Sequence, residues 1–280
     1  MNRDIISIPV FHKINNKQFE IDEHSHNSHE IIYIVDGKAM FEISNRKYIC
    51  EPNSLIFISN FESHKMKILQ YPYSRYYVLI DPQLFNTLLS SPILASIFKY
   101  RPDNFRHVVN LNKNDKTHFL KLIKWLYFIY QKNNILTNEY LMSCLNIILI
   151  ELYNKYKSAF PLLLPDKSAL TILDIQKYID ANYTQDITLK DFADKFYVNM
   201  YMVSRNFKKY TGFTFKEYII LQRISKAREL LINTSDTVTK ISMDSGFGNV
   251  NHFIRTFNTI EGITPYQYRI KFKKLYLDLE

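Results

Sequence analysis

Short apolar runs alternate with turn residues in the first third of the chain, the pattern of a half-buried antiparallel sheet. The runs between Phe19 and Ile80 are rich in β-branched and aromatic residues. They predict strands over residues 31–35, 39–43, 47–50, 55–58, 64–69 and 76–80. Asp36-Gly37, between the first two runs, predicts a tight hairpin turn. The spacing indicates a β-sandwich or small antiparallel β-barrel over residues 1–112.

After residue 112 the hydrophobic period changes from two residues to about 3.6, which indicates helices. Phe119, Leu122, Ile123 and Leu126 share one face of a helix predicted over residues 115–131, and a second helix is predicted over 139–155. Their apolar faces either cover the barrel or pair with the same helices of another subunit. We assign residues 113–158 to this covering or dimerisation segment.

Pro161 and Pro165 mark the expected boundary between two domains. Because proline lacks an N–H donor and restricts the residue before it, residues 159–168 are predicted as a linker. A chain of 280 residues is long enough for two domains that each bury a core. We therefore expect an α+β protein, with the barrel and its trailing helices followed by an all-α domain over residues 169–275.

The most specific signal is a repeat within the last hundred residues. Five residues recur in register fifty positions later, so that Arg205, Phe207, Gly212, Thr214 and Tyr218 match Arg255, Phe257, Gly262, Thr264 and Tyr268. Thr188 and Thr237 are forty-nine positions apart, which implies one extra residue in the second turn. The last domain is therefore predicted to contain two copies of one helical unit.

Each copy is predicted to contain two short helices joined by a tight turn. The second helices are predicted over residues 200–209 and 250–258, with a further helix over 238–245 and a long connecting helix over 215–232. Side chains that accept from free backbone N–H groups mark the starts, and glycines mark left-handed turns. These residues are Thr188 with Asp191, Asn199, Gly212, Thr214 with Glu217, Gly246, Asn249, and Thr264 before Pro265.

Such a pair is a helix-turn-helix, whose second helix can enter the major groove of DNA. A connecting helix of about 18 residues is roughly 27 Å long. We call the second helix of each copy its reading helix. When the lateral offset of each reading helix is added to this length, one monomer can reach successive major grooves about 34–36 Å apart. We therefore expect an asymmetric site of about two helical turns.

The segments VNMYMVSRNFKKYTG (198–212) and GFGNVNHFIRTFNTIEGITPYQYR (246–269) resemble the AraC/XylS family of transcriptional regulators. The resemblance covers residues 170–272, and it implies that each second helix faces DNA bases. The implied base-facing residues are Tyr201, Ser204 and Arg205 in the first copy and Val250, Asn251, Ile254 and Arg255 in the second. Arginine can pair with guanine and asparagine with adenine, while valine and isoleucine can contact a thymine methyl.

Other roles remain open for the basic residues of these helices. For Arg205 and Arg255 the alternative is a phosphate contact or a surface salt bridge. Lys208 and Lys209 are expected to contact phosphate or only water. The net charge of +9 suits a polyanionic partner, but it divides almost evenly between residues 1–167 (+5) and 168–280 (+4). Bulk charge therefore does not locate the interface.

A cytoplasmic location is expected from three features of the sequence. Cys50 and Cys144 lie in different predicted elements, which argues for a reducing compartment. The first ten residues lack the apolar core of a signal peptide. The most apolar stretch, residues 135–153, contains Asn138, Glu139 and Asn146 and is too polar to span a membrane.

His24, His26, Glu30 and Gly37 follow the spacing of the first metal motif of the cupin barrels, which this part of the chain resembles. Positions 24, 26 and 30 share one face of a continuous strand. The resemblance implies a later histidine as fourth ligand, and His64 is the candidate. Three imidazoles and a carboxylate could hold Fe, Mn, Ni or Zn.

The cupin pattern is incomplete, because Gln18, Ser54 and Ile68 stand where its remaining Gly, Gly and Asn are expected. The sensor barrels of AraC-type proteins resemble cupins but usually hold an organic effector, or none that is identified. We therefore expect no required cofactor. One alternative is a divalent metal, and the other is that these residues are polar pocket histidines or lie at the barrel mouth. The candidates for lining an effector pocket are Tyr33, Phe41, Phe57 and Tyr77, for which core packing is the default role.

The expected function is a sequence-specific transcription regulator, most simply an activator, controlled by a small-molecule effector in the barrel. Its expected partners are promoter DNA, the effector, RNA polymerase if it activates, and a second copy in a homodimer, with no membrane. No enzyme activity is expected, since five glycines form no phosphate loop and no catalytic triad is evident. The alternatives are a cupin-type metal-dependent enzyme or metal sensor fused to a DNA-binding domain and, third, an architectural DNA-packaging protein.

Overall fold

Antiparallel strands dominate the first part of the chain. The computed structural model describes residues 8–89, 91–100, 105–132, 134–161 and 167–277. The strands are β1 (Val10–Asn15), β2 (Glu20–His24), β3 (His29–Ile43), β4 (Arg46–Cys50), β5 (Ser54–Ile58), β6 (His64–Ile80) and β7 (Val108–Asn110). They form a seven-stranded sheet in the order β1-β6-β3-β5-β7, with β2 paired to β6 and β4 paired to β3. The predicted antiparallel domain is confirmed.

The long strands β3 and β6 link two halves of this sheet. Residues 30–33 of β3 pair with β5, and residues 29–34 pair with residues 75–80 of β6. Residues 39–43 of β3 pair instead with β4 and with residues 64–68 of β6. The register shifts between the two halves, around Asp36 and Lys38.

The hairpin predicted at Asp36-Gly37 is wrong, because β3 continues through these residues. Gly37 has a φ of 75°, and a Cβ there would lie 2.4 Å from the carbonyl oxygen of Pro72. This glycine therefore permits an irregular, close approach of β3 to β6 in place of a turn. The hairpin turn lies at Ser44 and Asn45, whose φ values of 47° and 65° suit a two-residue connection to β4.

Among the described residues, four α-helices that follow or flank the sheet lie wholly in the same unit. They are α1 (Pro82–Leu88), α2 (Pro92–Lys99), α3 (Lys116–Lys132) and α4 (Thr137–Lys155). The last two confirm the predicted pair, and Phe119, Leu126 and Leu145 belong to the same buried core as strand residues such as Val78. The pair therefore covers the sheet. The first two helices were not predicted; each begins at a proline that follows a capping side chain, Asp81 or Ser91.

The chain divides into two compact units, residues 1–173 and 174–280. The division falls within α5 (Lys167–Asn182), beyond the predicted linker of residues 159–168. Phe160, at the start of that linker, is 2% exposed and packs against Tyr153 in the core of the first unit. Residues 162–166 lie outside the described residues, so the linker stays a prediction.

The second unit is helical. After α5 come α6 (Leu189–Phe196), α7 (Met200–Thr211), α8 (Phe215–Asn233), α9 (Val238–Asp244), α10 (Val250–Glu261) and α11 (Pro265–Leu277). The bounds confirm the two predicted helix-turn-helix copies and the long connecting helix. Asp180 of α5 accepts hydrogen bonds from Tyr218 (2.9 Å) and Gln222 (2.7 Å), which attaches α5 to α8 inside the core.

The predicted helix caps are confirmed. Thr188 with Asp191 and Thr214 with Glu217 form reciprocal capping boxes at the starts of α6 and α8. The side chains of Asn199 and Asn249 each accept two backbone N–H bonds at the starts of α7 and α10. Left-handed glycines, Gly212 and Gly262, end the same two helices. The caps therefore fix where both second helices begin and end.

Replacing Gly246 by alanine should destabilise the helical unit more than the matched change Gly212→Ala. Both glycines have positive φ, so alanine costs roughly 1–2 kcal/mol of strain at either site. A Cβ at Gly246 would also lie 2.6 Å from the Cα of Thr184, whereas nothing lies within 4 Å of one at Gly212. Overpacking of this kind adds about 1–3 kcal/mol. Urea unfolding followed by circular dichroism measures the difference, and equal losses would contradict the close approach.

Candidate effector pocket and nucleic-acid interface

Helix α7 has one apolar, buried side and one polar, exposed side. Val203, Phe207 and Tyr210 are at most 6% exposed, and they anchor the helix in its unit. The opposite face carries every residue predicted for the first copy, all exposed: Tyr201, Ser204, Arg205, Lys208 and Lys209. This amphipathic division leaves the predicted reading residues together on one accessible side.

Local interactions leave Arg205 free to bind a partner. Within the described ranges, no carboxylate lies within salt-bridge distance of its guanidinium. Asn199 holds the start of the helix through the backbone N–H groups of Tyr201 and Met202. Lys208 and Lys209 occupy the last turn, where positive charge interacts favourably with the helix dipole.

Helix α10 has the same design with a less polar face. Phe253 and Phe257 are fully buried, while Asn251 and Arg255 are exposed. Arg255 Nε donates to the carbonyl oxygen of Asn251 at 3.4 Å. The other two predicted residues differ: Val250 and Ile254 are half-buried, and Ile254 packs against the unit's core.

Three exposed side chains near the start of α7 were not predicted. Tyr197 is 96% exposed, Met200 52% and Met202 55%. Tyr197 also has a left-handed φ of 52°, and it stands in the turn where the second copy has Gly246. Aligning the copies at the upstream spacing of forty-nine would have shown this pairing. An aromatic residue held in a turn beside a reading helix is a further candidate for contact with a partner.

A cavity of about 230 Å³ lies in the sheet of the first unit. Its walls come from both halves of the sheet. The lining residues are Ile21, His24, His26, Glu30, Ile32, Phe41, His64, Met66, Arg75, Tyr77 and Leu79. One part is therefore apolar and another carries the four residues predicted as a metal set.

Two of the four predicted pocket residues line this cavity. Phe41 and Tyr77 line the cavity, but Tyr33 and Phe57 pack in the core shared with the helices. Tyr33 and Phe41 are both odd-numbered residues of β3, so simple alternation would place their side chains on one face of the sheet. The register shift around Gly37 lies between them and places the two side chains on different faces. All five residues of β5 are buried, so the pattern could not show which face Phe57 takes.

Three imidazoles meet at one end of the cavity. His24 ends β2, His26 follows it and His64 begins β6, and we call them the histidine cluster. One potential ligand atom from each lies within 4.8 Å of the others. Glu30 of β3 lies beside them, with its Oε2 3.4 Å from Nε2 of His26 and 3.6 Å from Nε2 of His64. The structure therefore brings together all four residues predicted for this set.

Burial and neighbouring side chains set the charges of His64 and Glu30. Desolvation lowers the pKa of His64 to about 4, against the opposing attraction of Glu30. Burial disfavours ionisation of Glu30, but the hydrogen bond from His26 and nearby positive charges outweigh it and lower the pKa of the carboxyl. His64 is therefore neutral and Glu30 ionised at neutral pH, the forms in which both can bind a metal.

Arg75 lines the cavity as well, and it was not predicted. It is 7% exposed, and its Nη1 is buried without a hydrogen-bond partner. Arg75 is an odd-numbered residue, whereas His64 and Met66 of the same strand are even-numbered, so simple alternation would place Arg75 on the opposite face. The register shift between the two halves of β6 places them on a common cavity. Strict alternation therefore hides this residue, although an isolated arginine within a strand is itself a signal.

Both units match known protein families. Residues 10–145 match the AraC-like ligand binding domain, and residues 192–271 match a helix-turn-helix domain. The chain belongs to the AraC family of transcription regulators. It accordingly has an N-terminal ligand-binding domain and a C-terminal DNA-binding domain.

Two curated relatives show how far this similarity extends in sequence. The HTH-type transcriptional regulator YdiP of Escherichia coli is 25% identical over 285 residues, which cover 94% of this chain and 86% of YdiP. The regulatory protein PocR of Salmonella typhimurium is 36% identical over 93 residues, 33% of this chain. The match spans only 31% of PocR.

A solved structure shows the same fold over nearly the whole chain. ToxT from Vibrio cholerae, bound to an unsaturated fatty acid, has a TM-score of 0.57 and 17% identity. The match covers 96% of this chain and 97% of that one. Within the described ranges, no helix of the AraC-family chain has the length and hydropathy of a membrane span.

Acid should destabilise the wild-type ligand-binding domain more steeply than the variant His64→Gln. Between about pH 6.5 and pH 4 the unfolded chain protonates this histidine while the folded chain does not, so the free energy of unfolding falls with falling pH. The slope is at most roughly 1.4 kcal/mol per pH unit for one group.

Denaturant unfolding between pH 6 and pH 5, with a chelator present, measures both slopes. The variant should give a flatter dependence, because glutamine does not titrate there. Identical slopes would contradict the buried, neutral state of His64. Circular dichroism at pH 7 confirms that the variant folds.

Proposed function

We propose that this regulator reads an asymmetric DNA site with α7 and α10, and that a small molecule in the cavity changes its DNA affinity. The observation that carries the proposal is the pair of exposed, polar helix faces, each on its own buried core. The 19-residue helix α8 connects them and is about 28 Å long. With the lateral offset of the reading helices, that length suits two successive major grooves, about 34–36 Å apart.

The two faces offer different chemistry to the bases. We assign Arg205 to a guanine, with Tyr201 and Ser204 beside it. On α10, we assign Asn251 to an adenine and Arg255 to a guanine or a phosphate. Lys208 and Lys209 of α7 contact phosphate. Val250 and Ile254 supply only part of their apolar surface, since both are half-buried.

The effector of this chain binds in the cavity that Phe41 and Tyr77 line. An acidic group on the effector would pair with Arg75, whose Nη1 has no hydrogen-bond partner. Binding regulates only if the effector has different affinities for the DNA-competent and DNA-incompetent states. That difference in effector affinity sets how far the effector can change DNA binding, whatever structural change accompanies it.

Assembly into a homodimer and recruitment of RNA polymerase belong to the same proposal. Apolar side chains on the outer faces of α3 and α4 favour dimerisation, although both helices also cover the sheet. The exposed ones include Trp125, Phe128, Tyr140 and Ile147, each about half exposed. Activation stays the expected sign of regulation, and a promoter-fused reporter measures it.

Footprinting on the DNA upstream of the chain's own gene tests sequence-specific reading. We expect one protected region of about two helical turns per monomer. Arg205→Ala should weaken binding to that region about 5–150-fold and relax the sequence choice at one position. Lys209→Ala should instead weaken binding to all sequences alike and reduce the dependence on log salt by about 1. Uniform, salt-sensitive coating without a protected region would overturn the proposal.

We call the part of the DNA site that each reading helix contacts its half-site. Base changes should weaken binding more in the half-site of α7 than in the half-site of α10. Each wrong base pair in a specific site typically costs about 1–3 kcal/mol. The cost should be smaller under α10, where Val250 and Ile254 make no hydrogen bonds to bases. Gel-shift titrations with each half-site scrambled separately measure the two losses. Equal losses, or a larger loss under α10, would contradict the assignment.

A further inference from the structure

The end of the cavity has the donors of a transition-metal site. The histidine cluster supplies three imidazole nitrogens and Glu30 one carboxylate, drawn from β2, β3 and β6 and the loop after β2. We propose that the histidine cluster and Glu30 bind a divalent transition-metal ion in the effector pocket. The inference rests on the proposed function, since it names a ligand of the same pocket.

Hydrogen bonds to the outer nitrogens orient two of the imidazoles. Nδ1 of His24 lies 2.9 Å from the carbonyl oxygen of Asp22, and Nδ1 of His64 lies 2.9 Å from that of Glu62. A carbonyl oxygen only accepts, so Nδ1 is the protonated nitrogen in both rings. In the neutral form of either ring, Nε2 then keeps its lone pair. Metal-binding histidines are oriented in the same way, by a carbonyl that accepts from the second nitrogen.

The distances fit an ion held between the side chains. Ligand atoms about 2.1 Å from one metal are roughly 3.0–3.4 Å apart at octahedral or tetrahedral angles. The Oε2 of Glu30 lies 3.4 Å from His26 and 3.6 Å from His64. These separations are longer than an ordinary hydrogen bond, so the interaction of His26 with Glu30 is weak, and they are close to the spacing that a shared ion requires.

The cluster also has incomplete protein partners. His26 contacts Glu30 through Nε2, but its Nδ1 is buried and has no hydrogen-bond partner. An ion bound at Nε2 would leave this Nδ1 to a water molecule, because a buried polar atom costs free energy unless a ligand or water satisfies it. Among the described residues, one carboxylate faces three imidazoles here, so a dication would leave the site positively charged beside Arg75. An anionic oxygen of an effector could then complete the coordination.

The donor set selects a class of ion. Imidazole with one carboxylate suits Zn²⁺, Ni²⁺, Fe²⁺ and Mn²⁺, whereas Mg²⁺ and Ca²⁺ prefer oxygen donors alone. Affinity for such a site generally rises from Mn²⁺ to Ni²⁺. Ni²⁺ is therefore the appropriate probe, with Mg²⁺ as the negative control.

Titration of the full, chelator-treated chain with Ni²⁺ tests the site. Calorimetry should show one ion per chain, and Mg²⁺ should not compete. At one hundred times Kd, the Tm of the ligand-binding domain should rise by about 5–10 °C. His26→Ala should weaken Ni²⁺ binding by more than the roughly 10–100-fold typical of losing a supporting hydrogen bond. Glu30→Gln keeps the shape of the side chain but should also weaken binding.

A matched control separates the site from ordinary surface histidines. His118 pairs with Glu151 away from the cavity, so His118→Ala should keep full affinity. Equal affinity in all variants, or no binding by the folded wild-type chain, would overturn the inference. Footprinting with and without Ni²⁺ is read separately: a protected site in a chain that binds no metal refutes this inference alone, and no protected site under either condition refutes the proposed function.

Discussion

The pocket depends on the close approach of β3 to β6 at Gly37. A side chain there would overlap the carbonyl oxygens of Gln70 and Pro72, so only glycine allows the two strands to meet. The approach coincides with a shift in register, which reverses the parity of the cavity face on both strands. Glu30 and Phe41, of opposite parity, consequently face one space. Without the shift, the charged and aromatic walls would lie on opposite sides of the sheet.

The helical unit depends on a different device, the repetition of caps. Each copy fixes its second helix between an asparagine at the start and a left-handed glycine at the end. Side-chain hydrogen bonds at these positions are local in sequence, so they hold the helix ends independently of the rest of the chain. The two copies are nevertheless unequal, because Ile254 packs partly into the core while Ser204, the matching residue of the first copy, is exposed.

The difference between local helix caps and non-local strand pairing explains which features the sequence could predict. Caps such as Asn199 and Gly212 act within a few residues, so their spacing located the helices of the second unit closely. The face taken by Tyr33 depends instead on a register shift between strands more than thirty residues apart, which no local pattern encodes. Arg75 was missed for that reason, and Phe57 because β5 is buried on both faces. The local pattern also predicted a turn at Gly37, whereas the glycine there allows a non-local contact between β3 and β6.

Buried polar atoms give the strongest physical reason to expect a ligand in the cavity. His26 Nδ1 and Arg75 Nη1 are both buried without a hydrogen-bond partner. Leaving such a group unsatisfied costs about 1–3 kcal/mol, whereas apolar residues of similar shape would avoid the cost. The first unit could fold at least as well with an apolar pocket, since its core already joins the sheet to α3 and α4. These groups therefore serve recognition better than stability, and an electron-rich atom of a ligand or a water molecule would satisfy Arg75.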